Sequence, residues 1–200
     1  ILGAPMLAQI FATFGLAVFL RSAAQALWGA DFQLVKNPLV QGRISLGGLF
    51  IGMPQLVASL GALVAFGFLY WFIRKTETGL ALQATAQDKQ AASLMGIHTE
   101  RMFALGWGIG AACVGVAGAL LTIFFYVFPD VGATFSLLAY VAVALGGFGN
   151  VPGTLAAGVI VGLVEVLGGL LIAPALKYVA VFVIYLVVVL VRPQGLFGRF

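Results

Sequence analysis

Residues Met102 to Pro129 read MFALGWGIGAACVGVAGALLTIFFYVFP, 28 residues without one charged side chain. A bilayer core about 30 Å thick takes roughly 20 apolar residues as helix, so this run can cross a membrane by itself. Its apolarity is continuous rather than alternating, which excludes the strands of an outer-membrane barrel. The rest of the chain repeats the pattern. Ile1 to Leu20 and Ile44 to Ile73 are uncharged, Val131 to Ala175 holds only Glu165, and Tyr178 to Val191 lies between Lys177 and Arg192.

Composition agrees. Of 200 residues, 62% are hydrophobic and 8% charged, with a mean hydropathy of +1.15. A soluble domain is about a quarter charged, so a soluble protein, a nucleic-acid binder and a disordered chain are all excluded. The net charge of +4 comes from scattered basic residues, which suits cytoplasmic loops better than a nucleic-acid stripe. The single cysteine, Cys113, cannot form an intrachain disulfide. Ile1 is not an initiator Met and no basic region precedes the first apolar run, so the sequence is read as trimmed at its N-terminus, with spans missing.

The expected fold is all-α, a polytopic transmembrane helix bundle of about six segments: 1–20, 46–73, 102–128, 133–148, 154–172 and 176–191. The second, at about 42 Å as a single helix, must tilt or project. The fourth and sixth are short enough to cross or to re-enter. Between the fourth and fifth, Gly146 to Gly153 is a turn by composition, with four glycines and Pro152. With residues 74–101 cytoplasmic, the inner side carries Arg74, Lys75, Lys89, Arg101, Arg192 and Arg199, and the outer side Arg21, Lys36, Arg43 and Lys177. That asymmetry leans the expected way. Trp71 and Trp107 flank the loop as interface anchors. The small-xxx-small pairs Gly48/Gly52, Gly106/Gly110 and Gly158/Gly162 are expected at close helix contacts.

No catalytic or metal constellation is present. There is no G-x-S-x-G, no H-E-x-x-H and no pair of cysteines. His98 stands alone beside Glu100 and Arg101 and reads as a solvated loop residue. Without G-x-x-x-x-G-K-[ST] the chain has no P-loop of its own, so any ATPase driving it is another subunit. The informative polar segment is Arg74 to Arg101. Leu80, Ala84, Ala91, Leu94 and Met95 recur at roughly helical spacing. Asp88 can cap a short helix over 89–95, which Gly96 can end in the left-handed conformation. A short amphipathic helix there fits either the membrane interface or a groove on a partner. Glu165 is the one charge within a long apolar run, and such a group is a functional candidate. It either lines a substrate path or fixes helix packing. Gly146, Gly147 and Gly149 either make a tight turn or present carbonyls to a substrate, as broken helices do.

The run Gly79-x-Ala81-Leu82-x-Ala84-Thr85-Ala86-Gln87-Asp88-x-x-Ala91-Ala92-x-Leu94-Met95-Gly96-Ile97 resembles the cytoplasmic loop of branched-chain amino acid ABC importer permeases, in particular the first of their two permease subunits. Gly146-Gly147-x-Gly149-Asn150-Val151-Pro152-Gly153 resembles the family's glycine-rich segment, and Arg192-Pro193-Gln194-Gly195-Leu196-Phe197-Gly198 its C-terminal signature. The resemblance implies one transmembrane permease domain over 1–200, with residues 74–101 as a cytoplasmic coupling loop. It implies a second permease subunit, two cytoplasmic ATPase subunits that bind ATP and Mg, and a periplasmic or lipid-anchored binding protein, all at a bacterial inner membrane. This chain itself would bind no cofactor and would not be an enzyme. Importer permeases carry an E-A-A-x-x-x-G loop; Gln90, Ala91, Ala92 and Gly96 match it, with Gln in place of the acidic residue. The coupling residues implied are Ala84, Gln87, Asp88, Gln90, Ala91, Ala92, Leu94, Met95 and Gly96. Urea, amides or sugars are alternative substrates. A rival from another class is an ion-coupled secondary transporter using Glu165, against which stands a lone carboxylate with no partner.

Overall fold

The computed structural model describes residues 5–35, 42–46, 49–171 and 173–198. It is helical throughout its long elements: α1 (Met6–Trp28), α2 (Met53–Lys75), α3 (Glu77–Gln87), α4 (Lys89–Leu94), α5 (Thr99–Leu121), α6 (Val131–Gly146), α7 (Val151–Leu171) and α8 (Lys177–Val191). Among the described residues, four helices are long and apolar enough to cross a membrane: Leu7–Trp28, Met53–Lys75, Thr99–Leu121 and Val151–Leu171. Val131–Gly146 and Lys177–Val191 are apolar but shorter. The six apolar segments expected from hydropathy are therefore present as helices, and the chain is an integral membrane protein.

Three boundaries differ from expectation, one of them at the end of the segment 102–128, where helix α5 stops at Leu121. The run 46–73 is not one long helix. Its first residues form an antiparallel hairpin, β1 (Arg43–Leu46) with β2 (Leu49–Gly52), pairing Ile44 with Ile51 and Ser45 with Phe50. Helix α2 starts only after it, with Pro54 in the first turn, where a missing N–H costs nothing. At 23 residues it is about 34 Å long and needs no unusual tilt. The first segment errs the other way: α1 carries on through Arg21 to Trp28.

The chain divides into two compact units, Ile1–Pro129 and Asp130–Phe200. In the first, α2, α3 and α5 pack on one another. Helix α1 is exposed along its length, with Phe11, Phe14 and Phe19 all on the surface. Its far end is tied to the end of the unit by paired backbone bonds between Gln33 and Val127, 2.9 and 2.8 Å, and by Phe32 against Phe128. In the second unit, α6, α7 and α8 enclose a core of Val141, Leu145, Ala157, Val161 and Val181. The expected glycine pairs are only partly at contacts: a Cβ at Gly52 would run into the Gln55 side chain and one at Gly106 would touch Leu82 of α3 at 3.7 Å. A Cβ at Gly110, Gly158 or Gly162 would meet nothing within 4 Å. One at Gly61 would lie 2.9 Å from Leu120, and one at Gly168 2.8 Å from Ala180. Gly48 lies outside the described residues.

Candidate functional site

The polar segment between α2 and α5 is ordered from end to end. Thr76 serves two helices at once. Its Oγ1 donates to the Phe72 carbonyl of α2 at 2.7 Å and accepts the Gly79 N–H of α3 at 3.0 Å. Gln83 Nε2 then donates to the Ile73 carbonyl at 2.7 Å, fastening the middle of α3 to the end of α2. Gly79 is buried at this corner, and a Cβ there would run into the backbone of Phe72 and Ile73. The turn from membrane helix to loop is therefore tight because residue 79 has no side chain.

Helix α4 has six residues, too few to persist alone, and is closed at both ends. Asp88 Oδ1 accepts the N–H groups of Gln90 and Ala91 at 2.8 and 3.0 Å, as expected of an N-cap. At the other end Ile97 N–H reaches the Ala92 carbonyl and Gly96 N–H the Ser93 carbonyl, both at 3.1 Å. With Gly96 at φ +83°, this is a Schellman closure. Ala92 is the buried residue of α4, and Lys89 Nζ stands over the Phe103 ring of α5. Outward, Leu94 and Met95 are 87% and 82% exposed. Ala84 is half-buried, while Gln87, Asp88, Gln90, Ala91 and Gly96 are exposed. The nine residues expected to couple thus lie along α3, α4 and the turn that closes α4, a capped two-helix bracket with Leu94 and Met95 turned outward.

The other expected residues lie in the second unit and do not form a common cluster. Glu165 is paired: Lys177 Nζ donates to its Oε1 at 2.7 Å. The expectation of a membrane-depth carboxylate without a partner is corrected here, because the break at 173–176 folds α8 back against α7. Gly146, Gly147 and Gly149 lie where α6 ends and α7 begins. Gly146 and Gly147 are buried and Gly149 is exposed. The backbone of Gly153 and Thr154 covers Gly146, and that of Gln194 and Gly198 covers Gly147. The sequence marks the glycine-rich segment and the C-terminal signature separately, and nothing in their spacing signals that the two meet. In the first unit, α2 and α5 line an open apolar groove of about 760 Å³ that includes Gly61, Phe68, Ile109 and Cys113, with Phe68 and Cys113 exposed. Among the described residues no three His, Cys, Asp or Glu side chains gather as metal ligands would.

A family model described as the permease component of branched-chain amino acid transport systems matches residues 4–191. The chain is 33% identical over 198 residues to the high-affinity branched-chain amino acid transport system permease protein LivH of Escherichia coli, covering 96% of this chain and 64% of that protein. It is 32% identical over 203 residues to BraD of Pseudomonas aeruginosa, another high-affinity branched-chain amino acid permease, covering 98% and 66%. The ribose import permease protein RbsC of Bacillus subtilis is 30% identical over 122 residues, 58% of this chain and 37% of that protein. This chain therefore spans just under two thirds of the length of its LivH and BraD relatives. No solved structure matches it. The chain belongs to the family of permease components of branched-chain amino acid transport systems.

Proposed function

We propose that this protein is a transmembrane permease subunit of an ABC importer that moves leucine, isoleucine and valine across the bacterial inner membrane. It is not itself an enzyme. Substrate passes between this subunit and a second permease, after delivery by a periplasmic or lipid-anchored binding protein. Two cytoplasmic ATPase subunits bind ATP and Mg and dock on α3 and α4. The observation that carries the reading is α4: a six-residue helix capped at both ends that presents Leu94 and Met95 to solvent. Apolar side chains on a rigid projecting tip are suited to a groove on a partner. The bonds from Thr76 and Gln83 to α2 would carry movement of the tip into a membrane helix.

Co-purification of the full-length protein with its ATPase subunits tests this. Wild type is expected to retain them in mild detergent, and Gly96→Trp to lose them while still inserting. Failure of wild type to hold any ATPase would overturn the reading and return attention to an ion-coupled transporter. The similarity to a ribose permease supports a second substrate class, sugars, within the same architecture. Competition of labelled leucine uptake by ribose separates the two.

A further inference from the structure

The last described residues turn back onto the fold. After α8, the Gly195 N–H donates to the Arg192 carbonyl at 3.0 Å, and Gly195 takes φ +84°. Leu196 N–H then donates to the Leu145 carbonyl at 2.7 Å, in the last turn of α6, whose final carbonyls have no partner within the helix. Asn150 works on both sides of the junction. Its Nδ2 donates to the Phe197 carbonyl at 2.6 Å, and its Oδ1 accepts the Gly153 N–H at 3.0 Å. The approach is backbone on backbone: a Cβ at Gly195 would stand 2.6 Å from the Ala144 carbonyl, and one at Gly147 2.7 Å from Gly198. Both glycines have positive φ, so glycine alone meets the two demands.

We propose that Asn150 is a positioning residue that straps the tail 193–198 across the junction of α6 and α7. The strap makes the end of α8 move with that junction. Glu165 and Lys177 tie α7 to α8 near the opposite end, so the three helices respond to force as one body. Two of the three motifs in the sequence, the glycine-rich segment and the C-terminal signature, are thus the two halves of one joint. The consequence for uptake rests on the transport reading above.

Hydrogen exchange on the full-length protein in lipid nanodiscs separates the two jobs of the Asn150 amide. Asn150→Asp keeps an oxygen for the Gly153 N–H and removes the donor to Phe197. Tail peptides over 193–198 are expected to exchange about tenfold faster in this variant, as for one lost hydrogen bond, with peptides over 151–155 unchanged. Asn150→Ala is expected to raise exchange in both. Gly195→Ala, which leaves Asn150 intact, is expected to free the tail in the same way. Equal tail exchange in wild type and all variants overturns the strap. Uptake of labelled leucine, at matched protein levels, is expected to fall severalfold in Asn150→Asp. Unchanged uptake with a freed tail overturns the positioning role. An absence of leucine uptake in wild type, with the exchange pattern as expected, overturns the transport reading and leaves the strap standing.

Discussion

Glu165 sits six residues before the end of α7 at Leu171, about 9 Å along the helix, and Lys177 opens α8. Their side chains are 25% and 36% exposed, so the pair is half-sheltered and its loss should cost about 1 kcal/mol, between the surface and buried cases. Glu165→Gln or Lys177→Gln alone is expected to lower the melting temperature of the detergent-solubilised protein, and the double variant to recover most of the loss. Leucine uptake should follow melting across the set. Uptake abolished in Glu165→Gln and not regained in the double variant would place the carboxylate in the substrate path instead. The pairing was not legible in the sequence. The residues are 12 positions apart, which puts them on different faces of any continuous helix. Only the fold-back around Pro174 joins them. The helix-packing glycines were no easier to read: spacing marked Gly158 and Gly162, while Gly61 packs on Leu120 of α5 and Gly168 on Ala180 of α8.

At the scale of elements, α4 was readable because both of its ends are written in adjacent residues. Asp88→Ala removes the acceptor of two N–H groups and should destabilise the helix by about 1 kcal/mol, whereas Asp88→Asn should be close to neutral. Gly96→Ala places a side chain at φ +83°, again at a cost of about 1 kcal/mol. ATPase retention and leucine uptake are expected to rank wild type and Asp88→Asn above Asp88→Ala and Gly96→Ala. At the corner with α2, Gly79→Ala must displace backbone and should cost about 1–3 kcal/mol. Gly106→Ala, whose Cβ would meet only Leu82 at 3.7 Å, should be nearly silent; thermal melting of the two variants compares them. The start of α2 was not readable. Hydropathy carries the run 46–73 without interruption, and an apolar hairpin gives no signal that differs from an apolar helix of the same composition.

For the whole molecule, the number of apolar segments follows from hydropathy alone, but the crossing of α6 does not. With 16 residues it is about 24 Å long, short of a bilayer core of about 30 Å. Sidedness decides the matter. Leu94 is 87% exposed, Phe148 72% and Leu176 44%, so each can be replaced by Cys in a Cys113→Ser background and labelled with an impermeant maleimide. Between Leu94 and Phe148 stand α5 and α6, two crossings; between Phe148 and Leu176 stands α7, one crossing. Leu94→Cys and Phe148→Cys are therefore expected to label from the same face, the cytoplasmic one, and Leu176→Cys from the other. If Phe148→Cys labels opposite to Leu94→Cys, α6 re-enters rather than crosses. The joint of Asn150 and the tail would then lie on the outer face, away from any ATPase. Labelling of Leu94→Cys from outside would remove the bracket of α3 and α4 from the reach of ATP-driven closure altogether, because force from a cytoplasmic ATPase must arrive through a loop on its own side.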